Sequence, residues 1–131
     1  MKTVVMTAWD SHAFDEDNLH RMAHLAGRLK QMGADWHLAV GSYKGAVEQS
    51  VVIEGLTEHG VLTARIMAGD YHQECILVVD EDGTASLVEP DGSTQHAGGW
   101  REVSQTLAVT KEGWTTYGGR WFIVEPVVEG N

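Results

Sequence analysis

Two strand-like runs, Trp36 to Tyr43 and Glu48 to Glu54, are separated by a link too short for a crossover. This favours an antiparallel pair, because a parallel connection needs about a dozen residues or more. Trp36, Leu38 and Val40 alternate with His37, Ala39 and Gly41 in the first run, and Val51, Val52 and Ile53 centre the second. That period of two is the mark of a strand. The stretch Val40–Ser50 carries more polar chemistry than a simple hairpin requires, with Gly41, Tyr43, Lys44 and Glu48 close together. Such a placement suits a small-molecule pocket beside Tyr43 and Glu48.

The flanking elements follow from their patterns. Thr3 to Trp9 is rich in β-branched and aromatic residues and reads as a strand. Asp17 or Asn18 is positioned to cap a helix running to about Met32, with Met22, Leu25, Ala26 and Leu29 at helical spacing and Gly33 at its end. Thr57 or Glu58 opens a second helix reaching about His72, with Leu62, Ile66 and Met67 apolar. Cys75 to Val79 is a further strand, and Glu81-Asp82-Gly83 turns the chain into Thr84 to Val88. The order β-α-β-β-α-β with an added strand predicts an α+β, ferredoxin-like antiparallel sheet with two helices on one face. Its other face would need cover, for which a homo-oligomer is one source.

From Pro90 the chain is rich in Gly, Ser and Thr, with Trp100, Trp114 and Trp121 spaced along it. It predicts a C-terminal extension of irregular segments and short strands, at Leu107 to Val109 and Arg120 to Val124. The expected organisation is one domain over 1–131, with a core at 1–89 and the extension at 90–131.

Composition narrows the function. A chain of 131 residues with 43% hydrophobic content is long enough to bury a core. A net charge of −10 with nine basic residues argues against binding phosphates of nucleic acid. It fits a solvated surface, attraction of a cationic ligand, or mimicry of DNA. No apolar run approaches a membrane span and charge arrives too early for a signal peptide, so a cytoplasmic location without membrane contact is expected. The single cysteine, Cys75, agrees with a reducing compartment.

Familiar catalytic signatures are missing. His20 and His24 lie one helical turn apart but lack a third ligand at diagnostic spacing, so no metal is expected. Cys75 lies in an apolar strand, where burial makes a thiol inert. There is no nucleophile elbow, phosphate loop or dinucleotide fingerprint, and no cofactor is expected.

The run Ala64-Arg65 through Tyr71, Gln73-Glu74-Cys75 and the apolar Ile76-Leu77-Val78 resembles the phage-encoded S-adenosylmethionine lyases, formerly called hydrolases. Gly41-x-Tyr43-Lys44 is similar to that family's Gly-x-Tyr-basic element, and Glu48 to the acidic residue opening its next strand. Asn18-x-x-Arg21, Gly99-Trp100-Arg101-Glu102-Val103 and Gly119-Arg120-Trp121 are weaker echoes in the same order. The link from Tyr43 to Glu48 is shorter than in the family.

The resemblance implies a trimer of ferredoxin-like subunits with active sites between them. The activity it implies is cleavage of S-adenosylmethionine to methylthioadenosine and homoserine lactone, depleting the methyl donor as phage anti-restriction in the host cytoplasm. Attack of the substrate's own carboxylate needs placement rather than a triad, metal or strong base. Tyr43 is the candidate to orient the methionyl end and Glu48 to hold its ammonium. Trp9, Ser42, Gln73 and Glu74 are the candidate substrate-binding residues, Trp9 as a stacking platform. Two other readings remain at this stage, a non-enzymatic acidic DNA mimic and a module that binds an adenosyl ligand without consuming it.

Overall fold

A computed structural model of the chain describes residues 1–43 and 45–126. Its strands are β1 (Lys2–Met6), β2 (Asp35–Tyr43), β3 (Ala46–Leu56), β4 (Ile76–Val79), β5 (Thr84–Val88), β6 (Thr94–Val103), β7 (Gly113–Tyr117) and β8 (Arg120–Glu125). Its helices are α1 (Asp15–Gln31), α2 (Glu58–Asp70) and the single turn α3 (Gln105–Ala108). The strands pair antiparallel and close into a barrel in the order β1-β3-β2-β7-β8-β6-β5-β4.

Strand alternation assigns residues to the two faces of this wall. On β3, Val51 and Ile53 face outward into a core shared with the helices. Glu48, Ser50, Val52 and Glu54 alternate with them and face the barrel interior. Met22, Leu25 and Leu29 of α1 and Val61, Ala64 and Met67 of α2 pack on Val4, Met6, Val51, Ile53, Ile76 and Val78. Each large aliphatic side chain buried there contributes about 1.5–3 kcal/mol. Both helices therefore cover the outer face of the β4-β1-β3 arc. Next to that arc, Leu38 and Val40 on β2 remain exposed.

Helix signals place the ends unevenly. Thr57 caps α2, its Oγ1 accepting from the Gly60 amide at 3.2 Å. The cap expected at Asp17 or Asn18 is not used, since α1 begins at Asp15 after Phe14. Asn18 is buried instead and binds Asp10 twice, accepting from its amide at 2.7 Å and donating to its carbonyl at 2.9 Å. It fixes the loop between β1 and α1.

The ferredoxin-like fold expected from the element order is not what forms. The order β-α-β-β-α-β is present as far as Val79. An open sheet of those four strands would leave β2 and β4 as edges with unpaired backbone groups. Here β5 pairs with β4, β7 with β2, and β6 and β8 join them, so the edges are closed. The stretch after Pro90, expected as an irregular extension, supplies β6, β7 and β8. Leu107–Val109, expected as a strand, falls at the single turn of α3 and its cap, opened by Ser104 Oγ accepting from the Leu107 amide at 3.2 Å.

Small residues explain why closure is faint in the sequence. Ala39, Ala85 and Gly98 are buried in the wall, where the tight interior leaves no room for a strong apolar alternation. Gly98 is the most crowded of the described glycines. Its φ is +147°, and a Cβ there would collide with the Glu125 carbonyl oxygen and lie 3.0 Å from Pro126 Cα. The β5–β6 register shifts beside it, between Ala85 and Ser86, the local bend that a barrel corner needs.

Candidate active site

The link between β2 and β3 is a tight hairpin. Tyr43 pairs with Ala46, and Gly45 takes φ +81°, a turn conformation that favours glycine. Lys44 lies outside the described residues. The register sets Glu48 directly opposite Gly41, with Tyr43 two residues further along the same face. Such diagonal neighbours sit about 7–8 Å apart, within reach of long side chains. On its other side Gly41 faces Thr115 of β7. A row Glu48–Gly41–Thr115 thus crosses three strands, and its middle position carries no side chain.

That gap opens into a cavity of about 570 Å³ at one mouth of the barrel. The volume falls in the range of small-ligand sites, roughly 300–1,000 Å³. The wall includes Tyr43, Ser42, Glu48, Ser50 and Thr115 from the β3-β2-β7 side. Glu74, Cys75, Leu87, Glu89 and Gln95 face them from the other, with Val5 and Thr7 between. Three glutamates and no basic side chain appear among the described lining residues. Tyr43 stands at the rim, 62% exposed.

Burial pushes the Glu48 carboxyl above the ordinary glutamate range, and the nearby Asp10 charge adds to the shift. Burial also raises the Cys75 thiol, reinforced by Glu74 and Glu89, so this half-buried cysteine is held as the thiol at neutral pH. That environment opposes a nucleophilic role.

The sequence candidates divide by position. Tyr43, Ser42, Glu48 and Glu74 line the cavity, whereas Trp9 and Gln73 do not. Trp9 packs against the core beneath the helices, and Gln73 Nε2 donates to its carbonyl at 2.9 Å. This tether fixes the segment from which Asp10 faces Glu48. Ser50, Thr115, Glu89 and Gln95 are lining residues that sequence reading did not single out. Ser50 carries a usable signal, since it shares the strand parity of Glu48. The others lie on elements whose pairing the sequence does not display.

His24 is engaged elsewhere, its Nδ1 2.6 Å from the Tyr71 hydroxyl. Asp35, His37 and Glu54 are the described residues whose ligand atoms group closely enough for a metal ion, within 4.8 Å of one another. They lie at the opposite end of the barrel and already interact, with His37 Nε2 3.4 Å from Asp35 and 3.8 Å from Glu54.

Compared with known families, the chain matches the one described as the S-Adenosylmethionine lyase family over residues 4–125. No curated protein matches it.

Proposed function

The chain belongs to the S-adenosylmethionine lyase family and is an enzyme of that type; we propose that it converts S-adenosylmethionine to 5′-methylthioadenosine and L-homoserine lactone in the cavity at the barrel mouth. The observation that carries this reading is the cavity itself, lined by Glu48, Glu74 and Glu89 with no cation among its described residues. A sulfonium with an amino-acid end is a net cation, and an acid-walled cleft concentrates it.

The chemistry asks little more than placement. A carboxylate oxygen of the substrate forms a bond to its own γ-carbon while the γ-carbon–sulfur bond breaks. The electron pair leaves with sulfur, neutralising the sulfonium, and no proton moves. The tether between carboxylate and γ-carbon is the substrate's own, so the cavity adds to it by holding the methionyl chain folded with the reacting atoms aligned. Positive charge on sulfur fades in the transition state, so the acidic wall aids capture more than the bond-making step.

Glu48 takes the substrate ammonium in this reading, with the strength of a charge-assisted hydrogen bond. Tyr43 orients the methionyl end from the rim, with Ser42 and Glu74 completing the wall. Trp9 and Gln73 support the site through the segment bearing Asp10. A homotrimer with sites between subunits is supported by the apolar surface next to the mouth, where Leu38, Val47 and Tyr43 are each about 60% exposed. Depletion of the methyl donor as phage anti-restriction, in a host cytoplasm, is the biological use we attach to the activity through its resemblance to phage enzymes. No helix among the described residues is long and apolar enough to cross a membrane.

Turnover in heavy-oxygen water tests the reaction. The purified protein, sedimenting as three copies, should release methylthioadenosine and then lactone that contains no solvent oxygen. Heavy oxygen in the side-chain hydroxyl of homoserine means direct hydrolysis and overturns the lyase reaction. Absence of turnover at high enzyme concentration leaves the acidic-inhibitor and binding-module readings in its place.

A further inference from the structure

We propose that Ser50 is a substrate-positioning residue, its hydroxyl donating to the α-carboxylate of the substrate while Glu48 holds the α-ammonium. The inference rests on the lyase reading and adds a residue and a role to it.

Ser50 is only 7% exposed, and its Oγ has no hydrogen-bond partner among the described residues. Buried hydroxyls are nearly always partnered, because an unmade hydrogen bond in a dry site is costly. Alanine would fit the same strand position without that cost. The orphaned group is also aimed somewhere specific. Ser50 lines the cavity, and the point where a Gly41 Cβ would stand is bordered by Ser50 Oγ at 3.7 Å and Thr115 Oγ1 at 3.9 Å, so a ligand group entering that gap meets the Ser50 hydroxyl.

Its neighbour identifies the ligand chemistry. Ser50 follows Glu48 by two residues on the same face of β3, about 7 Å along the strand. An α-amino acid presents an ammonium and a carboxylate on one carbon, which suits one acceptor and one donor at that separation. No lysine, arginine or histidine among the described lining residues competes for the carboxylate, so its donors are neutral groups, and of these Ser50 is the one next to Glu48 on the same strand face. A neutral donor has a chemical advantage here. It fixes one carboxylate oxygen without neutralising the group, so the other oxygen keeps its charge for attack on the γ-carbon. No proton is transferred to or from Ser50.

Calorimetric binding of two unreactive ligands tests the assignment. S-adenosylhomocysteine carries the amino-acid end, and methylthioadenosine lacks it. Ser50→Ala should weaken S-adenosylhomocysteine about tenfold or more while leaving methylthioadenosine within about twofold. Ser50→Thr, which keeps the hydroxyl, should recover most of that loss. The thermal midpoint of Ser50→Ala should not fall below that of the parent, since an orphaned polar group is removed. Should it fall, Ser50→Cys, close in shape and a weaker donor, is read with the same two ligands and should show the same selective loss. Equal weakening of both ligands, or of neither, overturns the role of Ser50 while the lyase reading stands. A parent protein that binds neither ligand and does not turn over S-adenosylmethionine overturns both.

Discussion

The two ends of the barrel are made from the same strands and do opposite things. At one end, Glu48 of β3 sits across from Gly41 and, with Ser50, lines an open cavity. At the other, about 20 Å further along β3 at a rise of roughly 3.3 Å per residue, Glu54 meets a filled interior. The Tyr117 hydroxyl donates to Glu54 at 3.0 Å, and Tyr117 stacks on Phe122 with ring centroids 5.3 Å apart. Trp100 stacks on the same Phe122 at 4.9 Å, and Arg120 pairs with Glu102 at 2.8 Å. Both ends hold a half-buried glutamate. One has a tyrosine donor fixed on it and the other has an acidic neighbour, Asp10, and empty space. The filled end satisfies its polar groups within the chain, while the open mouth leaves them for a ligand.

The contrast is broken most directly at the mouth. Glu48→Gln should lower kcat/KM for S-adenosylmethionine by about a hundredfold, the loss of one charge-assisted contact in a sheltered site. Because the folded protein raises the carboxyl above its ordinary value, ionisation of Glu48 opposes folding. That cost is absent at low pH, where the group is protonated in both states, and accrues as pH rises through the unfolded value. Thermal melting of Glu48→Gln at neutral pH should therefore match or exceed the parent. Retained turnover would remove Glu48 from the site.

At the filled end the expectation reverses. Tyr117→Phe should leave turnover within about twofold and cost about 1 kcal/mol of stability by denaturant titration, a modest figure because Glu54 remains partly solvated. The Tyr117 hydroxyl is pushed up to about 12, first by burial and then by the Glu54 carboxylate. Its neutral form is the one the fold favours, so this contribution is full below pH 10.0 and is lost as pH rises toward about 12. A large activity loss in Tyr117→Phe would show that the two ends are coupled.

The smallest effect sharpens the electrostatics of the mouth. Asp10 raises Glu48 by charge repulsion, after burial. Asp10→Asn should shift the acidic limb of the pH–rate profile to lower pH. A limb that stays put means that burial alone sets the Glu48 ionisation.

Legibility followed the range of the interactions. Met22, Leu25 and Leu29 declare α1 by local spacing, Thr57 declares the start of α2, and Thr84–Val88 reads as the strand it forms. The antiparallel β2–β3 pair was readable because its link is short. The placement of Tyr43 and Glu48 on one face follows from that register, and Ser50 was there to be found by the same parity. Beyond Pro90 the local signal fails. Gly98, Gly99 and Gly113 resemble loop chemistry in sequence, yet they lie in β6 and β7, which pair with partners on either side. Their identity is set by close approach of other strands.

By itself, then, the chain determined the local elements, the hairpin that carries Tyr43 and Glu48, and a family pattern that runs along its length. The ferredoxin-like architecture inferred from element order was overturned, because element order does not say whether sheet edges stay open. Closure joins β2 to β7, segments distant in sequence whose contact no local periodicity announces. Only that closure sets Thr115 beside Gly41, brings Glu89 and Gln95 across from Glu48, and encloses the Ser50 hydroxyl. Short-range spacing chose the residues of the mouth, and long-range backbone pairing turned them into a cavity.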